Sequence, residues 1–297
     1  MRAPRTVMLL ALLAAACSRS EPELAPLPTL PFVLDSARVS ALAEGVTHRF
    51  LYTSEGPWAI HLLDVSLDRC ITARTVKGFP GAEGRELTSV LLRRLADTMP
   101  VLGGVNADFF RYDPPGVPTN AMVIDGRVIT PPTQYPVLAI DSIGVAWIGT
   151  LDVIDSSAVG LTLGPLHPLH AVGGRPVIVR DGAPTAEALD TVPFAVTRHP
   201  RTAAGIAAGG GRLLLVTVDG RQPGWSVGMR LDELARLMAA LGADHAVNLD
   251  GGGSTAMVVR DSTGAALLVA NRPSDREGER AVGNALAVVD RCRAKSP

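Results

Sequence analysis

The stretch Ala246-Val247-Asn248-Leu249-Asp250-Gly251-Gly252-Gly253-Ser254-Thr255 decides how this chain is read. A short apolar strand signal over 246–249 delivers a carboxylate into three glycines and two hydroxyls. Glycine permits backbone angles and close approaches that side chains would block, and it costs more chain entropy than any other residue. Three in a row beside an aspartate fit a backbone wrapped closely around a polar ligand; they also fit a tight turn capped by Ser254 and Thr255. Just upstream, 231–241 carries Leu234, Leu237, Met238 and Leu241 at helical spacing and stops at Gly242, which predicts a helix. The same order occurs earlier in the chain. Leu91, Leu92, Leu95 and Met99 predict a helix over 87–99, then come a strand signal over 101–105 and the tetrapeptide Val105-Asn106-Ala107-Asp108. Two helix–strand units with converging Asn-x-Asp ends are expected, and the echo makes an internal pseudo-duplication one reading of the chain.

Working outward, further strand signals lie at 59–65, 70–76, 121–124, 128–129, 137–140, 145–148, 176–179, 213–218, 256–259, 266–270 and 285–289. Asp-Gly steps at Asp125, Asp181 and Asp219 punctuate several of them, as turn chemistry predicts. The middle, 141–174, is poorly periodic and reads as strands and loops of the same domain. Many strands with few helices predict an α+β fold: a single domain of mixed β-sheets with a few packed helices, not regular βαβ winding. With 47% hydrophobic but only 4% aromatic residues, the core should be filled by Val, Leu and Ala.

The N-terminus reads as an address. Arg2 and Arg5 precede an apolar run over 7–16 that is too short to span a bilayer, so 1–16 is expected to be a signal peptide. Leu13-Ala14-Ala15-Ala16-Cys17 is similar to a bacterial lipobox, with the leucine four places before the cysteine instead of three. Lipid on Cys17, with Ser18 as a sorting residue, would make an outer-membrane lipoprotein facing the periplasm. Ordinary secretion with cleavage near Ala16, to periplasm or medium, is the alternative. Residues 17–31 form an extended Pro-, Glu- and Ser-rich tether, and 32–297 form the domain. A net charge of −1 without a basic block gives nucleic acid and anionic membranes little to attract. An exported compartment permits a Cys70–Cys292 disulfide, and two buried thiols are the other reading. The oligomeric state is not legible.

Four blocks, in order, resemble the phosphodiester glycosidase family. They are Gly104-Val105-Asn106-Ala107-Asp108-Phe109-Phe110; Pro200-Arg201-Thr202-Ala203-Ala204-Gly205 with Leu215-Val216-Thr217-Val218-Asp219-Gly220-Arg221; the Asn248–Thr255 run; and Asn271-Arg272-Pro273-Ser274-Asp275 with Glu279-Arg280-Ala281-Val282-Gly283-Asn284-Ala285-Leu286. The resemblance implies hydrolysis of a sugar-1-phosphodiester, such as an N-acetylglucosamine-1-phosphodiester, at the anomeric carbon. Sugar and a phosphomonoester would be released. Where this chain has Asp108, many members carry a small uncharged residue, so the resemblance gives Asp108 no shared chemical role. Substrate choice is expected to be set in the family-variable middle, 113–200.

Phosphate already leaves as a stabilised anion, so this chemistry asks less of a general acid than ordinary glycoside hydrolysis does. It asks instead for guanidinium forks on the phosphate and a carboxylate at the oxocarbenium-like centre. Asp250 is the first carboxylate, as nucleophile or water-activating base; orienting loop amides or ligating a metal are its other readings. Asp219 is the second, read equally well as an Asp-Gly turn. Arg201 and Arg221 are the phosphate clamps, Arg201 catalytic with those two carboxylates, and Arg280 stands behind them. Asn106 and Asn248 either bind sugar hydroxyls or pin loop backbones. Asp108, Gly251, Gly252, Gly253, Ser254, Thr255, Asn271 and Asp275 complete the expected pocket, although capping a Pro-Ser turn would explain the last two. His199 is a proton donor or a bystander. No cofactor is required by the sequence and no His or Cys cluster has zinc spacing; the many aspartates are compatible with calcium, without an EF-hand pattern. Two competing functions stay open: a non-catalytic module binding envelope glycans, and a phosphodiesterase attacking at phosphorus. Three Trp and three Tyr offer few stacking platforms for the first.

Overall fold

The computed structural model describes residues 26–153, 159–161 and 167–293. The expected signal peptide, Cys17 and most of the tether lie outside the described residues. An eight-stranded sheet runs in the order Ser36–Ala43, Val46–Thr53, Trp58–Ser66, Arg212–Val218, Arg201–Ala207, His245–Asn248, Val177–Arg180, Ala183–Pro184. A five-stranded sheet faces it, in the order Leu267–Val269, Met257–Arg260, Val101–Asn106, Ala285–Asp290, Ile71–Val76. A second five-stranded sheet, Arg127–Thr130, Met122–Ile124, Pro168–Gly173, Val137–Asp141, Ala146–Gly149, packs into the same core, and Leu151–Val153 pairs with Val159–Leu161.

Strands dominate and helices are few, as the sequence predicts. The mixed sheets are a correction: every pairing between described strands is antiparallel. Parallel neighbours need long crossovers, usually helical, and among the described residues only two helices exceed one turn. Those two are the predicted ones. In Leu231–Ala240, Leu234, Leu237 and Met238 bury their apolar stripe on the outer face of the large sheet, against Leu62, Leu214 and Val216. Its start is set by Glu233, whose Oε2 accepts the Arg230 N–H at 2.9 Å, with Asp232 and Glu233 favourable at the positive helix end. In Thr88–Ala96, Leu91 and Leu92 cover the outer face of the smaller sheet, against Val258 and Ala287. Between the sheets, Leu63 and Leu215 meet Val105, Met257 and Leu286. The helix–strand unit thus occurs once on each sheet.

Three long strands carry no readable signal. Arg201–Ala207 is buried along its whole length, so it lacks the alternation of a half-buried strand, and its small residues have weak strand preference. Ser36–Ala43 and Val46–Thr53 mix polar and apolar residues on both faces.

Cys70 and Cys292 are bridged, with Cα atoms 5.0 Å apart across 222 residues of sequence. The bridge flanks the pairing of Ile71–Val76 with Ala285–Asp290, stapling an early strand to the last one. Replacing Cys292 by Ser is expected to lower unfolding free energy by about 2–4 kcal/mol. A denaturant midpoint unchanged from the parent would contradict this.

Candidate functional site

The two Asn-x-Asp ends meet. Asn106, fully buried at the end of Val101–Asn106, donates from Nδ2 to the Asp250 carbonyl at 2.6 Å. Its Oδ1 accepts the Thr202 hydroxyl at 2.8 Å and the Ala256 N–H at 3.1 Å. The Asp250 N–H donates to the Ala107 carbonyl at 2.9 Å. One amide therefore ties both sheets to the glycine loop. Asn248 does the same on the other flank, donating from Nδ2 to the Arg175 carbonyl at 2.8 Å while its own carbonyl accepts the Arg175 N–H at 2.7 Å. Both asparagines pin backbone, and the side-chain carbonyl of Asn248 has no hydrogen-bond partner.

Each of the three glycines is pressed by a neighbour, and a Cβ on Gly251 would stand 2.7 Å from the Pro200 carbonyl oxygen. Gly252 has φ +62°, and a Cβ there would stand 3.0 Å from Arg221 Nη2. A Cβ on Gly253 would stand 2.2 Å from Arg280 Nη2 and 2.4 Å from the Asp275 carboxylate. Arg280 is itself committed, Nε and Nη2 each 2.9 Å from Asp275 Oδ2. Arg221 is exposed, with Nη2 3.3 Å from His199 Nδ1. Burial first, then Arg201 and Arg221, hold the pKa of His199 below its usual value, so it stands neutral among cations.

Asp250 is half-buried where the strand gives way to the loop, and Gly251 N–H donates to its Oδ1 at 2.9 Å. Desolvation raises its pKa to about 6; the nearby Ser254 hydroxyl, the Gly251 amide, Arg280 and Arg175 pull the other way. Asp108 is almost fully buried. Its backbone N–H donates to Asn284 Oδ1 at 2.9 Å, and its Oδ2 accepts the Asn120 N–H at 3.2 Å. Gly173 closes the wall: a Cβ there would lie 2.6 Å from Asp108 Oδ2. Burial raises the Asp108 pKa to about 8, the Asn120 amide and Arg175 oppose it, and the Asp250 charge adds to it. Both carboxyl groups are thus held above the ordinary aspartate range, Asp108 further than Asp250 and in part by the Asp250 charge. Acid–base pairs are built this way.

Arg175, unmarked by the sequence reading, supplies the cation. Its guanidinium stacks between Phe109 (5.1 Å) and Tyr135 (4.6 Å), and its charge acts on both aspartates. It is stacked and not salt-bridged among the described residues. The only local signal is the run Gly173-Gly174-Arg175-Pro176.

Two residues expected to be catalytic make structural bonds. Arg201 is 2% exposed, and it donates from Nε to the Met229 carbonyl (2.9 Å) and from Nη2 to those of Phe194 (2.8 Å) and Thr197 (3.0 Å). It anchors the segment before Pro200, whose carbonyl accepts the Gly252 N–H at 2.8 Å. Burial pushes its pKa down to about 10, still charged at neutrality. Three of its five N–H donors are thereby engaged inside the protein. Asp219 is buried too. Its carboxylate accepts Trp225 Nε1 (2.9 Å), Asn271 Nδ2 (3.1 Å) and the Arg272 N–H (3.0 Å), a saturated set that fastens the 271–275 turn. Asn271 also accepts the Met257 N–H at 2.7 Å, so it too is a clasp. Thr255 is buried beside Thr202, their hydroxyls 3.5 Å apart. Among the described residues, no three His, Cys, Asp or Glu side chains gather as a metal site.

A family model described as phosphodiester glycosidase matches residues 100–289. No curated protein matches the chain. Among solved structures, a hypothetical protein from Synechocystis superposes with TM-score 0.64 at 18% identity over 86% of this chain; the chain spans 64% of that protein, less than two-thirds of its length. The catalytic domain of zebrafish N-acetylglucosamine-1-phosphodiester alpha-N-acetylglucosaminidase, auto-inhibited by its pro-peptide, gives TM-score 0.60 at 21% identity, over 91% of this chain and 87% of that one. A protein described as exported, from Burkholderia pseudomallei K96243, gives TM-score 0.58 at 22% identity, over 79% and 74%. At these identities the three structures establish a shared fold.

Proposed function

The chain belongs to the phosphodiester glycosidase family, and from that premise we propose that it hydrolyses a sugar-1-phosphodiester at the anomeric carbon. The observation that carries the reading is the Asp250–Asp108 pair beside the stacked Arg175, at the foot of the glycine loop. In the proposed reaction water attacks the anomeric carbon and its proton passes to Asp250. The bond from that carbon to the phosphate oxygen breaks with its electron pair on the phosphate, giving the free sugar and a phosphomonoester of the aglycone. Arg175 holds the phosphate oxygens as a planar fork, a role that moves to it from Arg201. Neutral Asp108 donates a hydrogen bond into the site. Gly251 to Gly253 let the loop backbone close on the sugar, walled by Arg221 and the Asp275–Arg280 pair. An N-acetylglucosamine-1-phosphodiester is the first substrate to try, by analogy with the zebrafish enzyme's name.

The pH dependence follows from the two carboxyl groups. Asp250 must be charged and Asp108 protonated, so kcat/KM is expected to rise through about pH 6 and fall through about pH 8. The two limbs belong to the pair as a whole. Asp108→Asn keeps a donor and removes the titration, so the alkaline limb should disappear. The same variant carries a stability signature. Because the folded chain keeps a proton on Asp108 that the open chain loses near 3.8, the parent loses stability as pH rises between that value and about 8. Asp108→Asn should flatten the upper part of this slope. A pH–rate profile identical to the parent's would remove Asp108 from the mechanism.

A further inference from the structure

Arg175 and Phe109 line the candidate site and also a cavity of about 1250 Å³. This exceeds the roughly 300–1,000 Å³ typical of pockets for drug-sized ligands. From Arg175 its wall continues along Tyr135, Trp147, Ile148, Val192 and Phe194. Trp147 is 37% exposed, Phe194 42% and Val192 47%, so solvent meets a clustered apolar surface. Contiguous exposed apolar surface in a cleft marks a binding site more often than scattered apolar residues do. The remaining charged lining, Arg180, Glu187, Asp190 and Asp244, is mostly acidic and would repel a second phosphate or an acidic aglycone.

We propose that this groove holds the aglycone of the phosphodiester, and that the aglycone is a hydrocarbon-bearing alcohol, so the natural substrate is a sugar phosphate esterified to a lipid-like chain. The inference rests on the reading of Arg175 as the phosphate fork. With phosphate there, the ester oxygen opposite the sugar opens onto Tyr135 and Phe109, and the chain beyond it lies along Trp147, Val192 and Phe194. The aglycone leaves as an alkyl phosphate.

Calorimetric titration of the full chain with methyl phosphate and octyl phosphate, both kept monomeric, tests the groove without catalysis. Each buried methylene contributes several-fold in affinity. Octyl phosphate is expected to bind ~100-fold more tightly than methyl phosphate, or better. Trp147→Ser, at a part-exposed wall position, should reduce that ratio by about tenfold or more. Equal affinities, or a ratio untouched by Trp147→Ser, would overturn the proposal. So would a dimer in solution that buries Trp147 and excludes octyl phosphate, which assigns the groove to a second copy. Hydrolysis of methyl and octyl sugar-1-phosphodiesters is measured separately. Failure to cleave either counts against the proposed function, while the binding ratio alone decides the groove.

Discussion

Asp250→Asn is expected to lower turnover of a sugar-1-phosphodiester by about 100-fold or more, with the melting temperature unchanged or higher above pH 6. The rate loss follows from removing a preorganised charge at the centre where positive charge develops, an effect commonly worth a few kcal/mol. The stability gain has a separate cause. In the folded chain the Asp250 pKa stands near 6, against 3.8 for an ordinary aspartate, so ionising it above pH 6 works against folding. Asparagine keeps the shape and the Gly251 contact without that penalty. A residue that merely shaped the loop would show the opposite pattern, with stability lost and turnover in the folded fraction retained. Steady-state kinetics beside a melting curve at pH 7 separates the two.

Arg201→Ala is expected to destabilise the protein by about 3–5 kcal/mol, because it strips a buried cation from the carbonyls of Met229, Phe194 and Thr197, of which Met229's alone keeps another donor, the His199 N–H. In a domain of this size that corresponds to a melting-temperature loss of roughly 10 °C. Arg201→Lys should recover only part of it, since one ammonium cannot reproduce the fork. If Arg201 held phosphate, both variants would melt near the parent temperature and lose substrate affinity instead. Arg175→Lys is the counterpart: its loss should fall on kcat/KM, with little change in melting.

What the sequence displayed was local need; what it hid was direction. The glycine triplet was legible because each position is pressed by a neighbour, the Pro200 carbonyl on Gly251, Arg221 over Gly252 and the Arg280–Asp275 pair on Gly253. The two helices were legible because each buries one stripe on a sheet and repeats at the helical period. The meeting of Asp108 and Asp250 could be read from the repeated Asn-x-Asp ends, since both strands occupy interior places in facing sheets. The inward bonds of Arg201 were hidden because its strand is buried on both faces, and no pattern of neighbours reports where a lone charge points. Those of Asp219 were hidden because its partners Trp225, Asn271 and Arg272 are brought to it by loops. Arg175 was hidden because its setting comes from rings at positions 109 and 135, remote in sequence and adjacent only once the fold forms. The raised pKa values of the two aspartates are likewise a product of burial, which no tetrapeptide announces.

The central claim is water attack at the anomeric carbon, and isotope placement tests it most directly. An N-acetylglucosamine-1-phosphodiester is cleaved by the parent protein in oxygen-18 water and both products are weighed by mass spectrometry. The label is expected in the sugar, with none in the phosphomonoester. Label in the phosphate would place the attack at phosphorus and contradict the account, and so would intact substrate across a panel of sugar phosphodiesters offered to the folded protein.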